Sequence, residues 1–207
     1  MDDVDDAIIS SRVDPVKGPM PWPGNKYKSI KNILQVLPYR NGFAEVFGGS
    51  GVVTLNRKLS KFQVFNDANS GVTALFRVLR DKEKRQEFCN FLDLMPHSRE
   101  EFCSCQRTWE EELDDVVKAA KFYYCVQMSF HGEMRVFGRA RSGVSSMSSK
   151  LRSRMPEFPA IADKFLNIQI ENLDWRVCLR DFDNEDMVWY LDPPYVDKNC
   201  YKDKMSR

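Results

Sequence analysis

Apolar residues fall along this chain in two rhythms. Four short runs have strand character. "GFAEVFGG" (Gly42–Gly49) is continuous and ends in glycines, and "FQVFND" (Phe62–Asp67) alternates and ends on an acid. "FLNIQIENLD" (Phe165–Asp174) alternates again, and "MVWYLDPP" (Met187–Pro194) is a continuous apolar run, as expected of a strand covered on both faces. Adjacent prolines cannot donate to a ladder, so that last strand must stop at Pro193. Helical spacing fills the intervals. In "KYKSIKNILQVLP", Ile30, Ile33, Leu34 and Leu37 share one face, closed by Pro38. "SGVTALFRVLRDKEKRQEFCNFL" follows the second strand with Ser70 as its expected cap. "SREEFCSCQRTWEEELDDVVKAAKFYYCVQMSF" holds one or two more helices, its acidic run Glu110–Asp115 reading as a solvated face or a helix start.

Strands alternating with helices predict an α/β fold with a doubly wound parallel sheet. Asp67 and Phe165 lie about a hundred residues apart, more than a crossover needs, which predicts an inserted helical subdomain. The chain then divides into an N-terminal tail (1–18), a first part of the sheet domain (19–95), a helical and basic-loop insertion (96–158) and a second part of the sheet domain (159–207).

Composition narrows the class. The 207 residues suit one domain with an insertion, and 43% hydrophobic residues suffice for a core. A net charge of +1 gives no global attraction to polyanions, so any such preference must be local. One segment supplies it. "HGEMRVFGRARSGVSSMSSKLRSR" (His131–Arg154) sets Arg135, Arg139, Arg141, Lys150, Arg152 and Arg154 against Glu133 alone; it reads as a loop or short hairpin, either solvated or gripping phosphates. No apolar run approaches the roughly 20 residues that span a bilayer. "MDDVDDAIISSR" lacks a basic signal-peptide head, so the expected location is cytoplasmic and the six cysteines are expected as reduced thiols. Cys103 and Cys105, with only His97 and His131 elsewhere, lack a standard zinc ligand set, and no metal is expected.

Candidate chemistry gathers at the strand ends. Gly48, Gly49 and Gly51 follow the first strand, where absent side chains let backbone approach a ligand at a helix start. Asp67, about 20 residues on, is placed to accept hydrogen bonds from ribose hydroxyls. Together they suggest an adenosine-bearing cofactor, a nicotinamide dinucleotide or S-adenosylmethionine; an ordinary turn and a helix cap are the plainer alternatives. "PWPGNKYKS" lacks P-loop spacing, which disfavours a kinase or ATPase. The tip of the last strand is "DPPY", Asp192 to Tyr195. A charged residue ending a buried strand is costly unless used. The Asp192 carboxylate and the Pro193 carbonyl could each accept one hydrogen of an exocyclic amino group, drawing its lone pair out of the ring plane, while Tyr195 offers a face for an extruded base.

Four segments in order carry a resemblance to the Dam-type DNA adenine methyltransferases. "PWPGNK" is similar to that family's W-x-G-G-K segment, "EVFGGSGVV" to its E-P-F-x-G-x-G loop, "FNDAN" to its N-D-x-N segment, and "YLDPPY" to its catalytic signature, the set spanning Pro19 to Tyr195. The resemblance implies a Rossmann-like methyltransferase sheet that transfers a methyl group from S-adenosylmethionine to adenine N6 in double-stranded DNA. It implies Asp192, Pro193, Pro194 and Tyr195 as the catalytic tip. Trp22, Lys26, Glu45, Gly48, Gly49, Gly51, Asp67 and Asp192 become cofactor contacts, and the insertion with Arg135, Arg139, Arg141, Lys150, Arg152 and Arg154 becomes the DNA-recognition part. Asn25 and Val46 depart from the pattern. The chain ends at Arg207, twelve residues after Tyr195, where family members continue; the expectation is a sheet incomplete at its C-terminal side, completed by a missing segment or a partner chain. The alternative function is a truncated, non-catalytic nucleic-acid-binding protein of the same fold. A nicotinamide-dependent oxidoreductase fits the glycines less well, and the absence of a Pro-Cys dipeptide disfavours cytosine carbon-5 transfer.

Overall fold

A computed structural model describes residues 14–138 and 147–194. Four parallel strands, β1 (Gly42–Glu45), β2 (Phe62–Asn66), β3 (Gln169–Glu171) and β4 (Met187–Tyr190), lie in the order β3-β2-β1-β4. The order reverses between β1 and β4, and in open parallel sheets that point opens a crevice beyond the carboxyl ends of the strands. Glu45 is in register with Phe65 on one side and Tyr190 on the other, so these three side chains share a face.

That face is the better covered. Phe43 and Val188 pack with Ile30, Val52 and Val53 from α1 (Ile30–Val36) and α2 (Val52–Asn56). Phe65 joins the main core, which runs through α3 (Ser70–Arg80), α4 (Lys82–Leu94), α5 (Arg99–Thr108), α6 (Asp115–Met128), α7 (Met147–Arg152) and α8 (Phe158–Phe165). On the opposite face Ala44 and Val64 pack with Cys178 of α9 (Trp175–Asp181). All six helices α3 to α8 lie between β2 and β3, in the interval where the sequence leaves too much chain for a crossover. Among the described residues β4 pairs with β1 alone, and Leu191 beyond it is 50% exposed.

Three local expectations are corrected. The α3 cap is Asn69 rather than Ser70: Asn69 keeps an extended backbone and its Oδ1 accepts the N–H of Gly71 at 2.9 Å and of Val72 at 3.3 Å, while Ser70 is already helical. The long helical pattern after it breaks in two at Asp81, which leaves helical geometry and caps α4 through the N–H groups of Glu83 and Lys84. Finally, Phe165 ends α8 instead of opening the third strand, because its ring stacks on Phe76 at 4.4 Å and meets Phe65 edge-on at 5.2 Å. Burial there follows a helix and leaves β3 only three residues. Asn69→Ala is expected to lower stability by about 1 kcal/mol and Ser70→Ala by much less, read as thermal midpoints.

Candidate active site

A cleft of about 390 Å³ opens beyond the carboxyl ends of β1, β2 and β4, within the range of small-molecule sites. Its floor is the turn from β1 into α2. Gly49 and Gly51 have φ of +50° and +67°, a region that side chains strain to enter. Neighbouring rings also claim the space where a Cβ would stand: Trp22 would lie 2.6 Å from one at Gly49, and Phe76 2.7 Å from one at Gly51. Aromatic packing therefore requires glycine at both positions, and Gly49 lines the cleft without a side chain.

The "FND-A-N" segment acquires a clear division of labour. Buried Asn66 stitches the strand tips together, its Nδ2 donating to the carbonyls of Val46 and Leu173 and its Oδ1 accepting from Leu173 N–H. Asp67 accepts the Gly49 N–H at 2.7 Å and the Asn69 N–H at 2.8 Å, holding the glycine turn against the start of α3. Asp67 also lines the cleft. The plainer alternative of a helix cap does not hold, since Asn69 caps α3; Asp67 instead ties the glycine turn to the residue before that helix.

Across the cleft, Asp192 leaves the tip of β4 and ion-pairs through Oδ2 with Lys26 Nζ, which also donates to the Gly24 carbonyl at 2.9 Å. Among the described residues Asp192 Oδ1 has no hydrogen-bond partner. Trp22, Lys26, Glu45, Gly48, Gly49, Asp67, Asp192 and Pro194 all line the one cleft; Gly51 lies just beneath it, and Pro193 precedes Pro194 on the same segment. Tyr195 lies outside the described residues.

Glu45 sits deepest. It is 3% exposed, and its Oε2 accepts the Thr54 N–H at 2.9 Å and the Thr54 hydroxyl. Burial raises its pKa from 4.5 to about 8; the Thr54 bonds oppose that, and the nearby negative charges of Asp192 and Asp67 add to it. It holds its proton at neutral pH.

The basic residues scatter. Arg135 is exposed and lines the cleft mouth, on a turn where Ser129 bridges Phe137 and where His131, Gly132 and Met134 take positive φ. Phe130 and Val136 on this turn are 66% and 65% exposed. Lys150 is exposed on α7. Arg152 instead pairs with Asp93, and Arg154 with Glu157 and with two backbone carbonyls. Arg139 and Arg141 lie outside the described residues.

Several lining residues went unread in the sequence. Asp174, Trp175 and Arg176 enter from the start of α9, after β3, and Trp175 Nε1 is buried without a partner among the described residues. The signal was available: each strand end of a doubly wound sheet feeds the same crevice. Gln106 and Trp109 come from α5 and the turn after it. Trp109, at 2% exposure, carries no pattern that separates it from core.

A parallel sheet with a glycine turn after β1, an acid after β2 and a cleft at the order reversal defines a Rossmann-like fold of the methyltransferase type. The family model for D12 class N6 adenine-specific DNA methyltransferases matches residues 22–205, and the chain belongs to that family. Similar proteins include the modification methylase StsI of Streptococcus sanguinis, 25% identical over 201 residues, 91% of this chain and 30% of that one. The DNA adenine methylase of Salmonella typhi is 26% identical over 189 residues, covering 84% of this chain and 63% of its own length. The type II methyltransferase M1.LlaDCHI of Lactococcus lactis subsp. cremoris is 26% identical over 200 residues, 84% and 64% of the respective chains. The chain thus spans less than two thirds of the length of each of these relatives.

Proposed function

We propose that this chain carries the cofactor cleft and catalytic tip of an enzyme that methylates the exocyclic amino group of adenine in double-stranded DNA, with S-adenosylmethionine as methyl donor. The observation that carries the reading is Asp192, at the tip of β4, tied to Lys26 on the wall of the same cleft that holds the glycine turn and Asp67.

The donor set fits such a cofactor. Trp22 and Trp175 bring flat apolar surfaces to the cleft, Asp67 brings a carboxylate for hydroxyl groups, and Gly48 and Gly49 line it without side chains. When bound, S-adenosylmethionine would supply a methyl group on a sulfonium and depart as a neutral thioether. The protein's part is positional and electrostatic. An extruded adenine presenting its amino group to Asp192 Oδ1 and the Pro193 carbonyl would have both hydrogens engaged and its lone pair turned toward the donor. Positive charge would grow on that nitrogen as it gains a bond to carbon, and the Asp192 carboxylate, oriented by Lys26, would stabilise it until one proton passes to solvent water.

The DNA would approach over the turn bearing Arg135. An exposed arginine beside Phe130 and Val136, at the mouth of the cleft, suits phosphate contact with apolar insertion against unstacked bases. The edge of β4 that has no paired strand among the described residues would accept a further strand, from elsewhere in the chain or from a partner. The expected location is the cytoplasm; no helix among the described residues is long and apolar enough to cross a membrane.

The test is transfer from methyl-tritiated S-adenosylmethionine to duplex DNA, followed by digestion to nucleosides. Label in N6-methyladenine is the expected result. Label in cytosine would overturn the substrate, and failure to bind the cofactor in calorimetry would overturn the reading of the cleft.

A further inference from the structure

The segment that brings Trp22 and Lys26 to the cleft has no regular structure of its own from Asp14 to Lys26, so something must hold it there. Three clamps do. At its start, Asn56 of α2 receives the Val16 N–H at 2.7 Å and donates to the Val16 carbonyl at 2.7 Å. Further on, the chain presses against the glycine turn: a Cβ at Gly18 would come within 2.3 Å of the Ser50 carbonyl oxygen, and Asn25 donates to the Ser50 hydroxyl at 2.8 Å. Between them, the Arg154 guanidinium donates to the carbonyls of Lys17 at 2.9 Å and Gly18 at 3.0 Å while Glu157 holds it from the other side. Arg154 belongs to the insertion, after α7, and only 18% of its side chain is exposed.

We propose that Arg154 is a positioning residue for the cofactor cleft, pinning the Val16–Lys26 strap across the glycine turn so that Trp22 and Lys26 stand against it. This departs from the phosphate-contact role its place in a basic stretch suggests. A phosphate-binding arginine keeps its donors in solvent; Arg154 directs them at two carbonyls and a carboxylate of its own chain. Gly18, Pro19 and Met20 are buried, so just past the Arg154 bonds the strap is packed into the fold. The consequence for the cofactor rests on the methyl-donor reading above; the consequence for the strap does not.

The experiment compares Arg154→Ala, Arg154→Lys and Arg135→Ala. Hydrogen exchange over residues 16–26 should speed up by about tenfold or more in Arg154→Ala, since two charge-assisted bonds are lost, and should be partly restored in Arg154→Lys. Arg135→Ala should leave that exchange unchanged. Affinity for S-adenosylmethionine should fall about tenfold in Arg154→Ala at an unchanged salt dependence of DNA binding, whereas Arg135→Ala should lower the salt slope by about 0.9. Asn56→Ala, which releases the far end of the strap, should reproduce the exchange and affinity changes and covers the case in which Arg154→Ala does not fold. Unchanged exchange overturns the clamp. Faster exchange with unchanged cofactor affinity, or a reduced salt slope in Arg154→Ala, overturns the positioning role. A wild-type chain that binds no cofactor overturns the proposed function instead, and exchange still decides whether Arg154 holds the strap.

Discussion

If the proposed function holds, Asp192→Ala is expected to lower adenine methylation by about a thousandfold or more while the chain keeps its fold, because on that reading the substitution removes an acceptor that matters chiefly in the transition state. The cleft would still admit cofactor through Trp22, Asp67 and the glycine turn. On the proposed reading, what would disappear is the carboxylate facing the nitrogen as it gains charge, together with the anion that pairs with Lys26 at the β4 tip. The side chains of Lys26 and Asp192 are 23% and 26% exposed, so the pair is partly solvated and its loss should cost no more than about 1 kcal/mol of stability. A thermal midpoint close to wild type beside a collapsed turnover is therefore the expected signature. Asp192→Asn separates two contributions. It keeps one acceptor in nearly the same place and removes the charge, so its activity should fall between the two. Methylation of adenine that persists in Asp192→Ala, measured by nucleoside analysis, would show that the reacting nitrogen is held elsewhere.

How far the chain could be read beforehand follows from which interactions are local. The apolar continuity of Gly42–Glu45 and Met187–Tyr190 is visible residue by residue, but it overstates the cover of the second run: β1 is buried at all four positions, whereas in β4 only Val188 is, so the expected strand covered on both faces is half-covered instead. The glycine turn, Asp67 and Asp192 were legible for a similar reason: each breaks a local rule at a strand end, and in this topology strand ends converge. Phe165 misled because it directly precedes the alternation of Leu166, Ile168 and Ile170 with Asn167, Gln169 and Glu171, which cannot reveal that its ring belongs with Phe76 of α3 and Phe65 of β2, far along the chain. Arg154 misled in the opposite way. A row of arginines and lysines reads as one polyanion-binding surface, but whether each guanidinium meets solvent or a carbonyl depends on where residues 17 and 18 pass, more than a hundred positions earlier. Trp175 follows Asp174, the cap of α9, three residues past the end of β3; an alternation that runs on from Phe165 to Asp174 extends the expected strand over that turn and hides it.

Glu45 supplies the second large effect, in stability as a function of pH. Its carboxyl titrates near 4.5 in the unfolded chain and near 8 in the folded one, so between those values the folded chain carries a proton that the unfolded chain has released. Stability must then fall as pH rises through that window. Below pH 4.5 both states are protonated and Glu45 imposes no penalty; above pH 8 both are ionised and the penalty is complete, on the order of a few kcal/mol for a shift of this size. Glu45→Gln keeps the shape of the protonated acid and an oxygen to accept the Thr54 N–H and hydroxyl, but has nothing to titrate. Its thermal midpoint should match wild type at pH 4.5, exceed it by a growing margin through neutrality, and level off above pH 8. Thr54→Val offers an internal check, since removing the hydroxyl takes away one of the bonds that hold the pKa down. The pH at which the stability of that variant levels off should move upward. A midpoint difference between Glu45→Gln and wild type that stays constant from pH 5 to pH 9 would mean that Glu45 ionises as freely in the fold as in water, and that its position beneath the cleft carries no electrostatic cost.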